Sequence, residues 1–270
     1  MPFARHGTIW YDTFGDAALP TLLLVNGLGS QCINYRDEWC AMFAAQGLHV
    51  VRFDNRDVGL SAEYDDPYTL SDMAGDAIAV LDELEVARAH VMGLSMGGMI
   101  VQTLAIEHPE RVVTMTSVMS TTGEPGYQKG SPRALELLTA APAADREGVV
   151  RQAIAGLHEW GSPEFADEAR WRADAERAFD RSFRPNGAGR QYRAVGASGS
   201  RADGLRALTV PTLVIHGDRD TLIDPIGGRR TAELVPGARF ELIEGMGHDY
   251  PPQLWARWVE LVTGHIRAYS

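Results

Sequence analysis

Residues 89–108 read AHVMGLSMGGMIVQTLAIEH and combine an apolar run, a glycine-rich turn and a helical pattern over Met96–His108. The turn matches the pattern G-x-S-x-G, with Ser95 at its centre. A serine between a buried strand and a helix is held in strained backbone geometry with its hydroxyl exposed. The helix N-terminus adds free N–H groups that would stabilise an oxyanion. The segment therefore predicts a nucleophilic serine, and the alternative is a structural turn in which Ser95 only caps the helix.

The same alternation of strand and helix extends along most of the chain. Short apolar runs closed by turn residues are typical of strands that are buried on both faces of a parallel sheet. The predicted strands are Thr21–Val25, His49–Phe53, Ala89–Gly93, Val112–Val118, Thr212–His216 and Arg239–Ile243. The predicted helices are Tyr35–Gln46, Leu70–Leu84 with Ser71 as N-cap, Met96–His108, Gly228–Val235 and Pro252–Ile266. This order predicts an α/β fold with a mostly parallel sheet, helices on both faces and an antiparallel edge hairpin at Thr8–Phe14.

One long stretch, residues 122–206, interrupts this order because no strand-like run occurs in it. Its helical patterns cover Arg133–Thr139, Gly148–Trp160 and Phe165–Phe183. We therefore predict a core formed by residues 1–121 and 207–270, with 122–206 as an all-helical cap over the C-terminal edge of the sheet. The cap is expected to supply apolar walls to a pocket, and Leu157 and Trp160 are the candidate wall residues.

A serine hydroxyl needs a base to accept its proton, and the expected base is a histidine oriented by a carboxylate. For a nucleophilic serine at a sharp turn between a strand and a helix, called a nucleophile elbow, the acid and then the histidine follow in the chain. His248 lies in GMGHD, residues 245–249, between the last predicted strand and the last helix. It therefore shares one sheet edge with Ser95, and we predict it as the base. The other histidines are assigned to packing or to the surface: His6, His49, His90, His108, His158, His216 and His265.

The acid is expected at the end of the preceding strand. Residues 216–225 read HGDRDTLIDP and offer Asp218, Asp220 and Asp224. We predict Asp220 as the acid because Asp218, directly after a glycine, favours a turn, and Asp224 favours the start of a helix. An alternative acid position follows the fourth predicted strand, but no carboxylate occurs there before Glu124.

The oxyanion needs a second hydrogen-bond donor besides the N–H group at the start of the helix after Ser95. NGLG, residues 26–29, follows a buried strand at the required edge, so we predict that the backbone N–H groups of Leu28 and Met96 form the oxyanion hole. The alternative is a simple turn. Losing one such donor typically costs about 3 kcal/mol of transition-state stabilisation. No Cys/His cluster has zinc spacing, so neither a metal nor a cofactor is predicted.

The composition excludes several classes of function. It is 45% hydrophobic and 23% charged, as in soluble globular proteins, and the net charge of −11 disfavours nucleic-acid and anionic-membrane surfaces as partners. Cys32 and Cys40 are too few for a disulfide framework and are expected to be thiols in the cytoplasm. No secretory signal is recognised at residues 1–6, and no apolar run has the length of a membrane span. The expected partner is a small molecule, with a homodimer left open.

Together these residues resemble the α/β-hydrolase superfamily over nearly the whole chain. DNRDVGLS, residues 54–61, is similar to the family's Asp-x-Arg-Gly-x-Gly-x-Ser turn, with Asp57 where glycine is commoner, and is expected to be structural. GLHVVRFDNRD (47–57) and RAHVMGLSMG (88–97) resemble the branch that contains the aclacinomycin methylesterases. Asn26 departs from the His-Gly that usually opens the oxyanion loop.

The resemblance implies a cofactor-free esterase that acts on a hydrophobic ester. Haloalkane dehalogenases and epoxide hydrolases of this fold carry an aspartate at the elbow, so Ser95 argues against both. We predict a carboxylic ester hydrolase with the triad Ser95, His248 and Asp220. The alternatives are enol-lactone hydrolysis, C–C bond hydrolysis or perhydrolysis with the same triad, and a ligand receptor with slow or absent turnover.

Overall fold

A sheet of eight strands runs through residues 3–127 and 129–269, which are the residues that the computed structural model describes. The strands are β1 (Phe3–Ala4), β2 (Ile9–Phe14), β3 (Thr21–Val25), β4 (His49–Phe53), β5 (Ala89–Leu94), β6 (Val112–Val118), β7 (Thr212–Gly217) and β8 (Arg239–Ile243). Their order across the sheet is β1-β2-β4-β3-β5-β6-β7-β8. Six neighbouring strands are parallel to one another: β4, β3, β5, β6, β7 and β8. At one edge β2 pairs antiparallel with β4, and β1 pairs antiparallel with β2. The α/β prediction and the edge hairpin are therefore confirmed.

Ten α-helices accompany the sheet within the described residues. They are α1 (Asp37–Ala44), α2 (Leu70–Glu83), α3 (Met96–Glu107), α4 (Pro132–Leu138), α5 (Arg146–Trp160), α6 (Glu168–Arg181), α7 (Gly187–Ser198), α8 (Ala202–Arg206), α9 (Pro225–Leu234) and α10 (Pro252–Arg267). No helix in this part of the chain combines the length and the apolar run needed to cross a bilayer.

The two faces of the sheet carry separate cores, as the side chains of β3 illustrate. Leu22 and Leu24 belong to a core with Trp39 and helices α1 and α10. Leu23 and Val25 belong to a second core with helices α2 and α3. Side chains alternate along a strand, so a strand covered on both faces must be apolar at consecutive positions. This is why the uninterrupted runs in the sequence predicted the central strands correctly. The predicted burial of Arg239–Ile243 on both faces is wrong, because β8 is the edge strand and only its Ile243 is buried.

The carboxyl ends of the parallel strands meet at one edge of the sheet. Helices α6 and α7, which lie between β6 and β7 in the chain, contact the loop after β3 at that edge, whereas α8 packs against α3 and α9. Gln31, in the loop after β3, donates through Nε2 to the carbonyl oxygen of Ala178 at 2.7 Å. Arg36 forms an ion pair with Asp174 of α6 at 2.5 Å. In an open α/β sheet the carboxyl edge is where ligands bind, so this helical insertion covers the expected site.

Several helices begin differently from the sequence-based prediction, and α1 starts at Asp37 rather than Tyr35. Thr69, not Ser71, is the N-cap of α2, because the Thr69 and Asp72 side chains each bond the other's backbone N–H in a capping box. Helix α9 begins at Pro225 rather than Gly228, and the carboxylate of Asp224 caps it. Proline at the first position of a helix loses no hydrogen bond, so the earlier start is favourable.

The insertion contains two helices that the sequence did not predict, α7 and α8. Helix α7 carries three glycines in its 12 residues, which lowers its intrinsic helix propensity. Helix α6 begins at Glu168 and not at Phe165, because Pro163–Phe165 forms a separate 3-10 turn. The boundaries of the predicted core and cap stay a prediction, and residues 1–2, 128 and 270 of those ranges lie outside the described residues.

Candidate active site

Ser95 occupies the turn between β5 and α3 with a φ of +56°, which is uncommon for a residue other than glycine. Its N–H donates to the carbonyl oxygen of Val118 at 2.9 Å. Two glycines make this turn possible. A Cβ at Gly93 would overlap the backbone of Gly97, and a Cβ at Gly97 would overlap the carbonyl group of Val25. The strained strand–turn–helix geometry that the sequence predicts around Ser95 is therefore built into the backbone.

The loop after β3 lies directly beside Ser95. A Cβ added to Gly27 would lie 3.3 Å from Ser95 Cβ and 3.9 Å from Ser95 Oγ, so the backbone of the loop packs against the serine side chain. Within residues 3–127 and 129–269, the N–H groups of Leu28 and Met96 have no hydrogen-bond acceptor. Unpaired backbone donors beside a nucleophile are what an oxyanion hole requires.

Three amide side chains hold this loop in place. Asn26 donates through Nδ2 to the carbonyl oxygen of Gln31 at 3.0 Å, and Asn55 donates to the carbonyl oxygen of Asn26 at 3.1 Å. The N–H of Gly29 donates to Oε1 of Gln191 at 2.8 Å. Asn26 is buried, so this residue closes the loop where the family pattern has His-Gly. Gln191 was missed in the sequence because it belongs to the unpredicted helix α7.

His248 and Asp220 meet on the loops that follow β8 and β7. His248 Nδ1 lies 2.7 Å from Asp220 Oδ2. Asp220 is buried, and its Oδ1 accepts the N–H groups of Leu222 and Ile223, each at 2.9 Å. His216 Nε2 lies 3.1 Å from the same Oδ2. The carboxylate is thus fixed from several sides, and the Nδ1–carboxylate contact leaves His248 Nε2 available for chemistry.

The surroundings of Asp220 keep it ionised. Burial raises the pKa of this carboxyl group, but the adjacent His248 and hydrogen bonds from His216 and His248 outweigh burial and lower the pKa to about 2. A carboxylate that is charged throughout the neutral range can stabilise a positively charged imidazole at His248.

The other candidate acids lie in structural positions. Asp218 Oδ1 accepts the N–H of Gly245 at 2.7 Å and so joins the loops after β7 and β8. Asp224 caps helix α9. Glu124, at the alternative acid position after β6, forms an ion pair with Arg230 at 2.9 Å. Of these carboxylates, Asp220 is the one that touches the histidine.

Ser95 and His248 line one cavity of about 400 Å³ under the insertion. Leu28 and Met96 lie in the same lining. The insertion supplies apolar walls: Leu135, Leu138, Trp160, Phe165, Trp171 and Val195. Trp160 therefore lies where the sequence predicted. The prediction for Leu157 is wrong, because Leu157 is 3% exposed inside the insertion and is not among the described lining residues.

Among the described residues, no hydrogen bond joins Ser95 Oγ to His248, although both line the cavity. Catalytic hydrogen bonds are often long in unliganded enzymes and tighten in the substrate complex. The structure therefore brings His248 to Asp220 and places Ser95 in the same cavity.

The described residues also bear on metal binding. Among them, no group of three or more Asp, Glu, His or Cys residues could hold an ion.

Comparison with known proteins identifies the family. A model of the alpha/beta hydrolase fold family matches residues 20–250. Rhodomycin D methylesterases from Streptomyces sp. (strain C5) and Streptomyces peucetius are each 32% identical to the chain, over 97% of the chain and 95% of the relative. The solved structure of the enol-lactonase from Burkholderia xenovorans LB400 has a TM-score of 0.79 and 26% identity, and covers 96% of both chains. The resemblance seen in the sequence is thus confirmed, and the chain belongs to the α/β-hydrolase fold family.

Proposed function

We propose that the protein is a carboxylic ester hydrolase in which Ser95 is the nucleophile, His248 the general base and Asp220 the orienting acid. One observation carries the proposal: a serine on a strained elbow lines the same cavity as a histidine that lies 2.7 Å from a buried carboxylate. Relatives at 32% identity that are methylesterases support the same chemistry.

The proposed reaction passes through an acyl-enzyme. Ser95 Oγ attacks the ester carbonyl carbon while its proton moves to Nε2 of His248, and Asp220 stabilises the resulting imidazolium. The carbonyl oxygen becomes an oxyanion that accepts hydrogen bonds from the N–H groups of Leu28 and Met96. The bond to the alcohol oxygen then breaks, and His248 gives its proton to the leaving alcohol. A water molecule repeats the sequence on the acyl group and releases the carboxylic acid.

The cavity favours an ester with a large apolar body. Aliphatic and aromatic side chains from both the insertion and the core line it, and they would bury such a body next to Ser95. The relatives from Streptomyces are named for the methyl ester of rhodomycin D. We therefore propose a methyl ester of a bulky, hydrophobic acid as the substrate class.

Hydrolysis of an enol lactone is the second candidate. A lactone is a cyclic ester, so the same attack by Ser95 would open it without a change in the triad. The match to a solved enol-lactonase over 96% of both chains supports this candidate. A panel that compares methyl esters of bulky aromatic acids with small enol lactones separates the two by their kcat/KM values.

Replacement of the serine tests the proposal. Ser95→Ala is expected to lower the turnover of p-nitrophenyl acetate and p-nitrophenyl butyrate by at least ~10³-fold while leaving the circular dichroism spectrum unchanged. Ser71→Ala is the matched control, since Ser71 is an exposed serine on α2. Wild-type turnover in Ser95→Ala would exclude Ser95 as the nucleophile.

The free thiols support a cytoplasmic location. Cys32 and Cys40 are both unpaired and buried, and unpaired cysteines are ordinary in a reducing compartment. Fractionation of the host cells with an antibody against the protein tests this assignment, and recovery outside the cytoplasm would contradict it.

A further inference from the structure

The loop that carries His248 is hydrogen-bonded to a turn of the insertion, residues 160–162. The N–H of His248 donates to the carbonyl oxygen of Trp160 at 2.5 Å. The N–H of Gly247 donates to Ser162 Oγ at 2.8 Å. His248 and the residue before it are therefore tied to a segment that precedes them by more than 80 positions in the chain.

The connection continues through the residue that follows the histidine. Ser162 donates to Asp249 Oδ1 twice, through its hydroxyl group and through its backbone N–H, the latter at 3.1 Å. A chain of hydrogen bonds thus runs from the Gly247 N–H to the Ser162 hydroxyl and on to the Asp249 carboxylate. It encloses the backbone of His248 on both sides.

This arrangement is buried and closely packed. Ser162 is 0% and Asp249 6% exposed. A Cβ at Gly247 would overlap the backbone of Trp160 and Gly161, so the two segments touch without an intervening side chain. Burial raises the pKa of the Asp249 carboxyl group, and the Ser162 hydrogen bonds only partly offset that effect. A buried carboxylate is costly to maintain, and an apolar residue would fill the same space without that cost.

We propose that Ser162 and Asp249 are positioning residues that set the distance and angle of His248 relative to Ser95. The proposal rests on the proposed function, since it assigns the two residues a role in that reaction. The insertion then does more than enclose the substrate: its turn at residues 160–162 completes the placement of the general base. Precise placement matters because a shift of about 1 Å in a reacting group typically costs about 100-fold in rate.

Asp249 could instead act through its charge, by stabilising the imidazolium of the neighbouring His248. Two substitutions separate the roles, because both remove the charge but only one removes the acceptor. Asp249→Asn keeps an oxygen for both Ser162 donors, whereas Asp249→Ala keeps none. A positioning role predicts that asparagine retains most of the activity and alanine loses it, while a charge role predicts equal losses.

The experiment measures kcat and KM for p-nitrophenyl butyrate in the full chain. Asp249→Ala and Ser162→Ala are expected to lower kcat by roughly 10- to 100-fold with KM changed less than about threefold, while Asp249→Asn stays within about threefold of wild type. Thr263→Val is the control, since it removes a buried hydroxyl that donates to the Val259 carbonyl oxygen on α10. Equal losses in the asparagine and alanine variants, or wild-type kcat in Ser162→Ala, would overturn the proposal.

A second readout does not depend on turnover. The proton between His248 Nδ1 and Asp220 is expected to give a downfield imidazole N–H resonance in the Ser95→Ala protein. Adding Ser162→Ala should broaden or shift that resonance, whereas adding Thr263→Val should leave it in place. An unchanged resonance with Ser162→Ala would overturn the positioning role, even if Ser95 proved not to be the nucleophile. Conversely, full turnover in Ser95→Ala would overturn the proposed function. The imidazole N–H resonance would then be the measurement that decides whether Ser162 and Asp249 position His248.

Discussion

The sheet and the helical insertion are stabilised by different interactions. Every residue of β3, β4, β5 and β7 is buried, and their side chains form the two apolar cores. Helix α6 of the insertion has no buried residue. The insertion contributes Ala194, Ala202 and Leu205 to one of these cores. It is also joined to the sheet region by ion pairs, such as Arg181 with Asp54 at 2.8 Å and Arg190 with Asp57 at 3.0 Å. Apolar burial therefore dominates in the first region, whereas the second combines a smaller apolar contact with hydrogen bonds and ion pairs.

This difference assigns separate tasks to the two regions. Ser95 lies directly after the fully buried strand β5, Asp220 lies shortly after the fully buried strand β7, and His248 lies on the loop after β8, which is buried at Ile243. Several cavity walls lie on helices of the insertion, and one of these helices, α6, has no buried residue. Substitutions in the sheet should therefore change rate or stability, and substitutions of the insertion residues that form the cavity walls should change substrate preference. The following predictions test that contrast in order of decreasing effect.

The largest effect is expected from substitution of Asp220, which lies on the loop after β7. Asp220→Asn should lower kcat by about 10⁴-fold on every ester, because asparagine cannot stabilise the imidazolium and favours the wrong tautomer of His248. Asp218→Asn is the matched control, since Asp218 bonds a backbone N–H and does not touch the histidine. A loss of less than about tenfold in Asp220→Asn would remove Asp220 from the mechanism.

The next effect compares two tryptophans. Trp39 is fully buried and stacks on Trp255 at a centroid distance of 5.6 Å, so Trp39→Ala should cost about 3–5 kcal/mol of unfolding free energy in urea. Trp171 is only partly buried and lines the cavity, so Trp171→Ala should cost less than about 1 kcal/mol and mainly raise KM for bulky esters. Similar losses of unfolding free energy for the two substitutions would contradict the proposed difference between the sheet and the insertion.

A smaller effect is the pH dependence that Asp220 confers on the sheet. Its pKa is about 2 in the folded protein against 3.8 for a free side chain, so ionised Asp220 stabilises the fold by about 2 kcal/mol at neutral pH. That stabilisation is present above about pH 5 and is lost as the pH falls through 4 to 2. The difference in unfolding free energy between wild type and Asp220→Asn should shrink over that range. A difference that stays constant would contradict the lowered pKa.

The sheet and the positions of the candidate site could be predicted because their physical signals are local. Strands buried on both faces are apolar at consecutive positions, and the residues that end them are the ones that meet at the carboxyl edge. This reasoning placed Ser95, Asp220 and His248 on neighbouring loops. It also separated Asp220 from Asp218 and Asp224, whose turn and capping roles have recognisable sequence neighbours.

The insertion was harder to predict because its signals are tertiary. Helical periodicity marks Leu157 and Trp160 as one apolar face, but it does not say which of them meets the cavity. The glycines of helix α7 weaken its helical signal in the sequence. Gln191 on that helix, which accepts a hydrogen bond from the Gly29 N–H in the loop after β3, was therefore missed as well. The Ser162–Asp249 pair joins residues that are 87 positions apart, so no local pattern could reveal it.

The most direct test of the active site is labelling of the intact protein with a fluorophosphonate, followed by mass spectrometry of its peptides. One adduct is expected, on Ser95, and its rate of formation should fall by ~10³-fold or more in His248→Gln. An adduct on another residue, or equal labelling rates in the wild type and His248→Gln, would contradict it.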